Sequence, residues 1–209
     1  MDKTLEKNEN KTARKFLSIE KLRWRQDGPP LLAVCGKKNS GKTTYLEQVV
    51  HKLAQMGVKA AVIKHDGHEF LGDVPGTDSF RMYQAGAEGT AVFSERQVLI
   101  HKRIHTTLQE VTESFLDADL ILAEGLKELP VPKLEIIREG IGQEPCSNPK
   151  GRIGIITDRK DYFKCCGDDS TNQGTPGEMI LDLNCPEELA RMLRECLKGR
   201  QAAHGKTAV

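Results

Sequence analysis

The chain alternates short apolar runs with longer stretches of helical spacing. Leu31 to Cys35 (LLAVC) is apolar at every position, as a strand covered on both faces is. Residues 43–56 then set Leu46, Val49, Val50, Leu53 and Met56 on one helical face, with Gly57 placed to end that helix. Val58 to Ile63 (VKAAVI) predicts a second strand. A loop containing Gly and Pro spans His65 to Thr77, and Asp78-Ser79 can cap a short helix through Ala85. Thr90–Ser94 and Val98–His101 predict the two strands of a hairpin. A helix over 106–116 would turn Leu108, Val111 and Phe115 inward. Asp119–Ala123, Lys133–Arg138, Arg152–Thr157 and Met179–Leu183 predict further strands, while 159–178 is polar and reads as loop. Pro186 opens a last helix running to about Lys198. Alternation of this kind predicts an α/β fold around a mainly parallel sheet, with an added β-hairpin.

At 209 residues the chain has the length of one domain with extensions. The expected division is a charged, flexible N-terminal arm over 1–28, one domain over 29–198 and a flexible tail over 199–209. Within the arm, Phe16, Leu17, Ile19, Leu22 and Trp24 follow a rough helical spacing. They either dock on the body or belong to a weakly ordered segment. The charge count, 31 Lys and Arg against 30 Asp and Glu, excludes nucleic-acid binding driven by a basic excess. No apolar run approaches the about 20 residues of a membrane span. The N-terminus carries no apolar segment of the secretory kind. The six cysteines are therefore expected as reduced thiols, and the compartment as cytoplasmic.

The strongest chemical signal follows the first strand. Gly36-Lys37-Lys38-Asn39-Ser40-Gly41-Lys42-Thr43 matches G-x-x-x-x-G-K-[ST] between an apolar strand and an amphipathic helix. The glycines let the backbone curl around a phosphate, and the helix adds its positive end. Lys42 can reach the β- and γ-phosphates and the Thr43 hydroxyl can ligate Mg²⁺. The fold expected is thus a three-layer P-loop NTPase-like fold. Lys37 stands where partner-activating P-loop NTPases carry a lysine that reaches across a dimer. A solvated surface lysine is the plainer reading, since Lys38 and Asn39 replace the glycines of that class.

Bound magnesium needs a carboxylate. Ligands lie beyond the carboxyl ends of parallel strands, so Glu124, after DLILA, is the better candidate, with Asp66 on a neighbouring loop. Asp119 stands at the wrong end of its strand. His65 and His68 have zinc spacing but no further ligand nearby, and the cysteines form no C-x₂-C pair. Cys35 and Cys196 read as small core residues.

Four segments in order, GKKNSGKTT, IKHDGHEF, DVPGTDSFRMYQAGA and DLILAEGLKELPVPKLEIIRE, resemble one family, the molybdopterin-guanine dinucleotide biosynthesis protein B (MobB) adaptors. The resemblance spans about residues 31–158. It implies a homodimeric protein that binds GTP with Mg²⁺, hydrolyses it weakly and assists the guanylyltransferase of molybdenum cofactor synthesis; direct contact with the molybdopterin cofactor stays open. By the motif match Gly36 to Thr44 would carry the phosphates, including Lys37, Lys38, Asn39, Ser40, Gly41, Lys42, Thr43 and Thr44. His65, Asp66, Asp78, Ser79, Arg81, Glu124, Gly125 and Lys127 would border the site. Thr43, Glu124 and Asp66 are the metal candidates, and Lys42, Glu124 and Asp66 the catalytic ones.

Asp158 ends the strand RIGIIT, where a carboxylate can accept from guanine N1–H and N2–H₂; a plain turn residue is the other reading. Two further functions compete with the adaptor. A small-molecule P-loop kinase would use Arg138, Arg152 and Arg159 as lid cations. A metal-delivery GTPase would use His65 and His68.

Overall fold

The structure, a computed structural model, describes residues 17–67, 70–142, 144–164 and 178–204. The chain divides into two compact units, Met1–His65 with Thr112–Val209, and Asp66–Val111.

The larger unit is built on a six-stranded sheet in the order β2-β5-β1-β6-β7-β8. Its strands are β1 (Leu31–Gly36), β2 (Ala60–Lys64), β5 (Leu120–Glu124), β6 (Lys133–Ile137), β7 (Arg152–Thr157) and β8 (Met179–Asp182). Every pairing is parallel. Parallel strands require crossovers that cover the sheet, which explains the unbroken apolar runs of β1 and β5.

Side chains alternate between the two faces. On one face Leu32, Val34, Leu120, Leu122, Leu134, Ile136 and Ile156 form a continuous cluster with the helices above them. Those helices are α2 (Lys42–Gln55), through Leu46, Val49 and Leu53, and α6 (Pro186–His204), through Leu189 and Leu193. Leu17, just before α1 (Ile19–Leu22), and Leu22, its last residue, join the same cluster, so this part of the N-terminal segment docks on the body. On the opposite face Ile137 and Ile155 pack against Tyr162 of α5 (Lys160–Lys164). Helices on both faces make the three layers expected. Each fully covered Leu or Ile contributes roughly 1.5–3 kcal/mol.

The smaller unit holds α3 (Asp78–Gln84) and a hairpin of β3 (Gly89–Phe93) with β4 (Val98–Lys102), paired from Gly89↔Lys102 to Phe93↔Val98. Phe93, Val98 and Ile100 lie on one face of that hairpin and are 81%, 67% and 58% exposed. The helix α4 (Leu108–Glu113) runs across the boundary between the units.

Several elements depart from the pattern. α4 is shorter than the helix predicted over 106–116, and its buried side chain is Thr112, whose hydroxyl faces Arg25. The cap of α3 is Thr77, which accepts from Phe80 N–H at 3.3 Å; Asp78 and Ser79 lie inside the helix. Residues 160–164, read as loop, form α5, and α6 continues past Lys198. Cys165 and Cys166 lie outside the described residues.

The second face also carries charge inside β6. Lys133 and Glu135 are fully buried. Lys133 Nζ donates to the carbonyls of Asn148 (3.2 Å) and Lys150 (2.8 Å). Glu135 accepts from Cys146 N–H (2.6 Å) and from Ser147 N–H (3.1 Å), and Arg152 stands 3.5 Å away. Burial pushes the Glu135 carboxyl up, yet these donors overcome it and hold the group below the usual carboxylate range.

A lowered folded value means stability that is present above the unfolded value and lost as pH falls through the folded one. Glu135→Gln should cost about 2 kcal/mol at pH 7, the scale of hydrogen bonds to a charged group. It should also flatten the loss of stability on acidification. Urea unfolding of both proteins between pH 7 and pH 3 tests this; equal acid sensitivity would assign the dependence to another group.

Candidate functional site

The loop after β1 is shaped by its neighbours. Gly36 has φ +140°, and a Cβ there would lie 2.6 Å from the Ile136 carbonyl oxygen of β6. The adjacent strand therefore excludes any side chain at this point. Asn39 (φ 64°) and Gly41 (φ 92°) take left-handed conformations that turn the chain into α2. Gly41 is the N-cap and offers no side-chain acceptor, so the first N–H groups of α2 are left for an external anion. Lys42 Nζ donates to the carbonyls of Lys37 (2.9 Å) and Gly36 (3.3 Å), which holds the amine over the loop. Lys37, Lys38, Asn39, Thr43 and Thr44 are exposed. Ser40 is buried, and its hydroxyl has no protein partner.

β5 lies beside β1, with Glu124 in register with Val34. Its carboxylate reaches Thr43: the Thr43 hydroxyl donates to Glu124 Oε2 at 2.8 Å. Lys64 Nζ stands 3.7 Å from the other oxygen. Two hard oxygen donors at the mouth of the loop suit Mg²⁺. The following turn is tight. A Cβ on Gly125 would meet the His65 carbonyl at 2.9 Å, and Gly125 N–H donates to Val34 O at 3.0 Å. Leu126, buried, is held at φ 57°, an unusual conformation for a residue with a side chain. Lys127 is exposed and stands 3.5 Å from Glu128. Asp119 accepts Lys59 N–H at the opposite end of β5, as its position predicted.

Of the predicted site residues, the structure thus assembles Gly36 to Thr44 with Glu124, Gly125 and His65. Asp66, Asp78, Ser79 and Arg81 belong to the smaller unit, where Arg81 stands 3.7 Å from Asp78. His68 lies outside the described residues, and among those described no three His, Cys, Asp or Glu side chains group as a metal site. Asp158 follows β7; its Oδ1 accepts Glu139 N–H at 2.8 Å and its Oδ2 stands 3.8 Å from Arg138 Nε. Arg152 is buried against Glu135 and Glu178, and Arg159 pairs with Asp161, so neither is placed as a lid cation. Arg138 differs: its Nη1 lies 3.5 Å from where a Cβ on Gly41 would stand. Sequence reasoning left Arg138 out of the nucleotide site. No sequence signal placed it there: the pairing of Ile136, two residues before it, with Gly36 is set by the sheet.

A parallel sheet whose central strand ends in a phosphate-type loop, with a carboxylate at the end of the next strand, defines a P-loop NTPase-like α/β protein. The family model "MobB: Molybdopterin guanine dinucleotide synthesis protein B" matches residues 31–158, and the chain belongs to this family. The chain is 37% identical to a Bacillus subtilis protein named "Probable molybdopterin-guanine dinucleotide biosynthesis adapter protein", over 70% of this chain and 83% of that one. An Escherichia coli protein named "Molybdopterin-guanine dinucleotide biosynthesis adapter protein" is 33% identical over 56% of this chain and 70% of its own length. The crystal structure of Bacillus subtilis MobB superposes with a TM-score of 0.62 at 28% identity, covering 81% of this chain and 98% of that one.

Gly36 and Gly57 separate two costs of adding a side chain. Gly57 (φ 76°) has open space around its missing Cβ, so Gly57→Ala carries only conformational strain, about 1 kcal/mol. Gly36→Ala adds the clash with Ile136 O and should cost at least about 2 kcal/mol more, as overpacking does. Urea midpoints of the two variants check this ordering; equal midpoints would mean that β1 and β6 yield at the loop.

Proposed function

We propose that this protein is a GTP-binding adapter in molybdopterin-guanine dinucleotide synthesis that assists the guanylyltransferase step and hydrolyses GTP slowly with Mg²⁺. The observation that carries the reading is the 2.8 Å contact of Thr43 with Glu124 at the mouth of the Gly36–Thr43 loop. The uncapped start of α2 and the amine of Lys42 offer positive charge to phosphates, and Thr43 with Glu124 offers oxygens to the metal. Asp66, one residue past His65, is the second acidic candidate. Asp158 is the candidate reader of guanine. β7 is two strands from β1, and strands are spaced about 4.8 Å apart, which sets that carboxylate about 10 Å from the loop, within reach of a base. Against adenine it would face the N1 lone pair, acceptor against acceptor. The adapter role itself comes from the relatives' names. The molybdopterin cofactor is a candidate ligand of the assembled complex.

The protein also acts as a homodimer in this reading. Phe93, Val98 and Ile100 leave one hairpin face apolar and uncovered. A two-stranded hairpin is marginal in water by itself, so a second copy is a natural cover.

Calorimetry with GTP and ATP tests the nucleotide reading. The parent should prefer GTP, and Lys42→Ala should lose about ten- to a hundredfold in affinity, the effect of one hydrogen bond to a charged group. Glu124→Gln should bind GTP nearly as the parent does but need more Mg²⁺ for turnover. Equal GTP affinity in parent and Lys42→Ala would reject the site.

Sedimentation equilibrium at micromolar concentration should give twice the chain mass, and Phe93→Ser with Ile100→Ser should return the monomer. A monomeric parent would reject the dimer and, with it, any role of Lys37 across subunits.

A further inference from the structure

Arg138 is the first residue beyond β6, the strand between β1, which leads into the loop, and β7, which Asp158 follows. Its guanidinium is therefore delivered to the line that runs from the phosphate loop to the base reader. Three features show that it is not there as a structural ion pair. Its one charged partner within 4 Å among the described residues is Asp158, and the 3.8 Å separation from Nε exceeds hydrogen-bond length. Its Nη1 is turned to Gly41, the N-cap of α2, at 3.5 Å from the Cβ position. The side chain is about half exposed, so its remaining N–H donors stay open to a ligand.

The surroundings call for an anion. Arg138 and Lys37 line one shallow cleft together with Ser40, Glu135, Gly142 and Glu144. Lys37 Nζ lies 2.9 Å from the Cβ position of Gly142, so its stem is laid along the cleft wall. Glu135 is already neutralised by Arg152 and the N–H groups of 146 and 147. Ser40 Oγ, buried and without a protein partner, belongs to the same cleft. Two cations, an idle buried hydroxyl and the positive end of a fourteen-residue helix converge here, and of the lining carboxylates only the exposed Glu144 lies outside the Glu135 network.

We propose that Arg138 is a phosphate-binding residue of the nucleotide site, closing its β6 side opposite Glu124 and holding a phosphoryl oxygen through its terminal N–H groups. The inference rests on the nucleotide reading above. Asp158 Oδ2 stands beside the guanidinium at 3.8 Å. Asp158 also accepts Glu139 N–H and so fixes the chain where it leaves β6. Asp158 is thus a positioning residue for Arg138 as well as the candidate reader of the base. A planar fork of donors suits phosphate better than a point charge does.

The test measures binding of GTP and of inorganic tripolyphosphate, which has no base, to the full chain by calorimetry. Arg138→Gln should weaken both by a similar factor, about tenfold or more, the scale of a hydrogen bond to a charged group. Arg138→Lys should recover part of it. Asp158→Asn should weaken GTP more than tripolyphosphate. A thermal melt of each variant checks that the fold is kept. Loss of GTP binding with unchanged tripolyphosphate binding in Arg138→Gln would show action through the base side and overturn the proposal. So would parental affinity for both ligands while Lys42→Ala still binds neither. If Lys42→Ala also binds both like the parent, the nucleotide reading itself fails.

Discussion

The position of β1 governs the rest of the larger unit. The strand is hydrogen-bonded on one edge to β5 and on the other to β6, and both its faces are covered. Such a strand cannot shift register without moving its whole apolar set and breaking two ladders. Its last residue, Gly36, is therefore delivered to a fixed point, where the Ile136 carbonyl leaves no room for a side chain. The loop geometry and the start of α2 follow from that point. The contact between Thr43 and Glu124 follows too, because β5 ends at Glu124 beside Val34 of β1. Site assembly is in this sense a consequence of sheet register.

The face of the sheet opposite α2 and α6 does a different job. Lys133, Glu135 and Arg152 bring charge into the interior, and each is paired or hydrogen-bonded, as buried charge must be. Arg152 pairs with Glu135 and Glu178, while Lys133 and Glu135 find partners in the segment 146–150, and that segment in turn braces the turn after β5. Asn148 N–H donates to Lys127 O at 2.9 Å, and its side-chain amide donates to Glu128 O at 3.1 Å. A chain of polar contacts therefore runs from the sheet to the EGLK turn, whose Gly125 and Leu126 hold left-handed conformations. Local strain at that turn persists because the surroundings over-determine it. Breaking a buried pair on this face leaves an uncompensated charge, so the network resists piecemeal substitution.

The unit Asp66–Val111 is organised by other means. α3 has no buried side chain, and its order comes from a polar turn. Thr77 caps the helix, and Asp73 is held below the usual carboxylate range chiefly by the hydroxyl of Ser79. The Tyr83 ring stacks on His101 at 3.8 Å, and Arg103 lies over Tyr83. Aromatic and cation–π contacts of this kind contribute about 1 kcal/mol each. One hairpin face receives this cover, and the face with Phe93 does not.

Much of the larger unit was legible in local pattern. The apolar runs of β1 and β5, the spacing of Leu46, Val49 and Leu53, and the Gly36–Thr43 loop state their roles within a few residues, because period and composition report burial directly. Glu124 could be chosen over Asp119 from strand direction alone. Tertiary structure decided what depends on neighbours distant in sequence. The burial of Lys133 rests on carbonyl acceptors at 148 and 150 and that of Glu135 on donors from 146–152, which no periodicity records. Arg138, Arg152 and Arg159 are alike in sequence; the sheet turns one to the phosphate loop, buries the second and leaves the third with Asp161. The cap of α3 moved to Thr77 because capping requires an extended residue just outside the helix, which composition cannot distinguish among Thr77, Asp78 and Ser79. Local chemistry names the groups that can act, and only the packing of one strand against the next determines which of them meet.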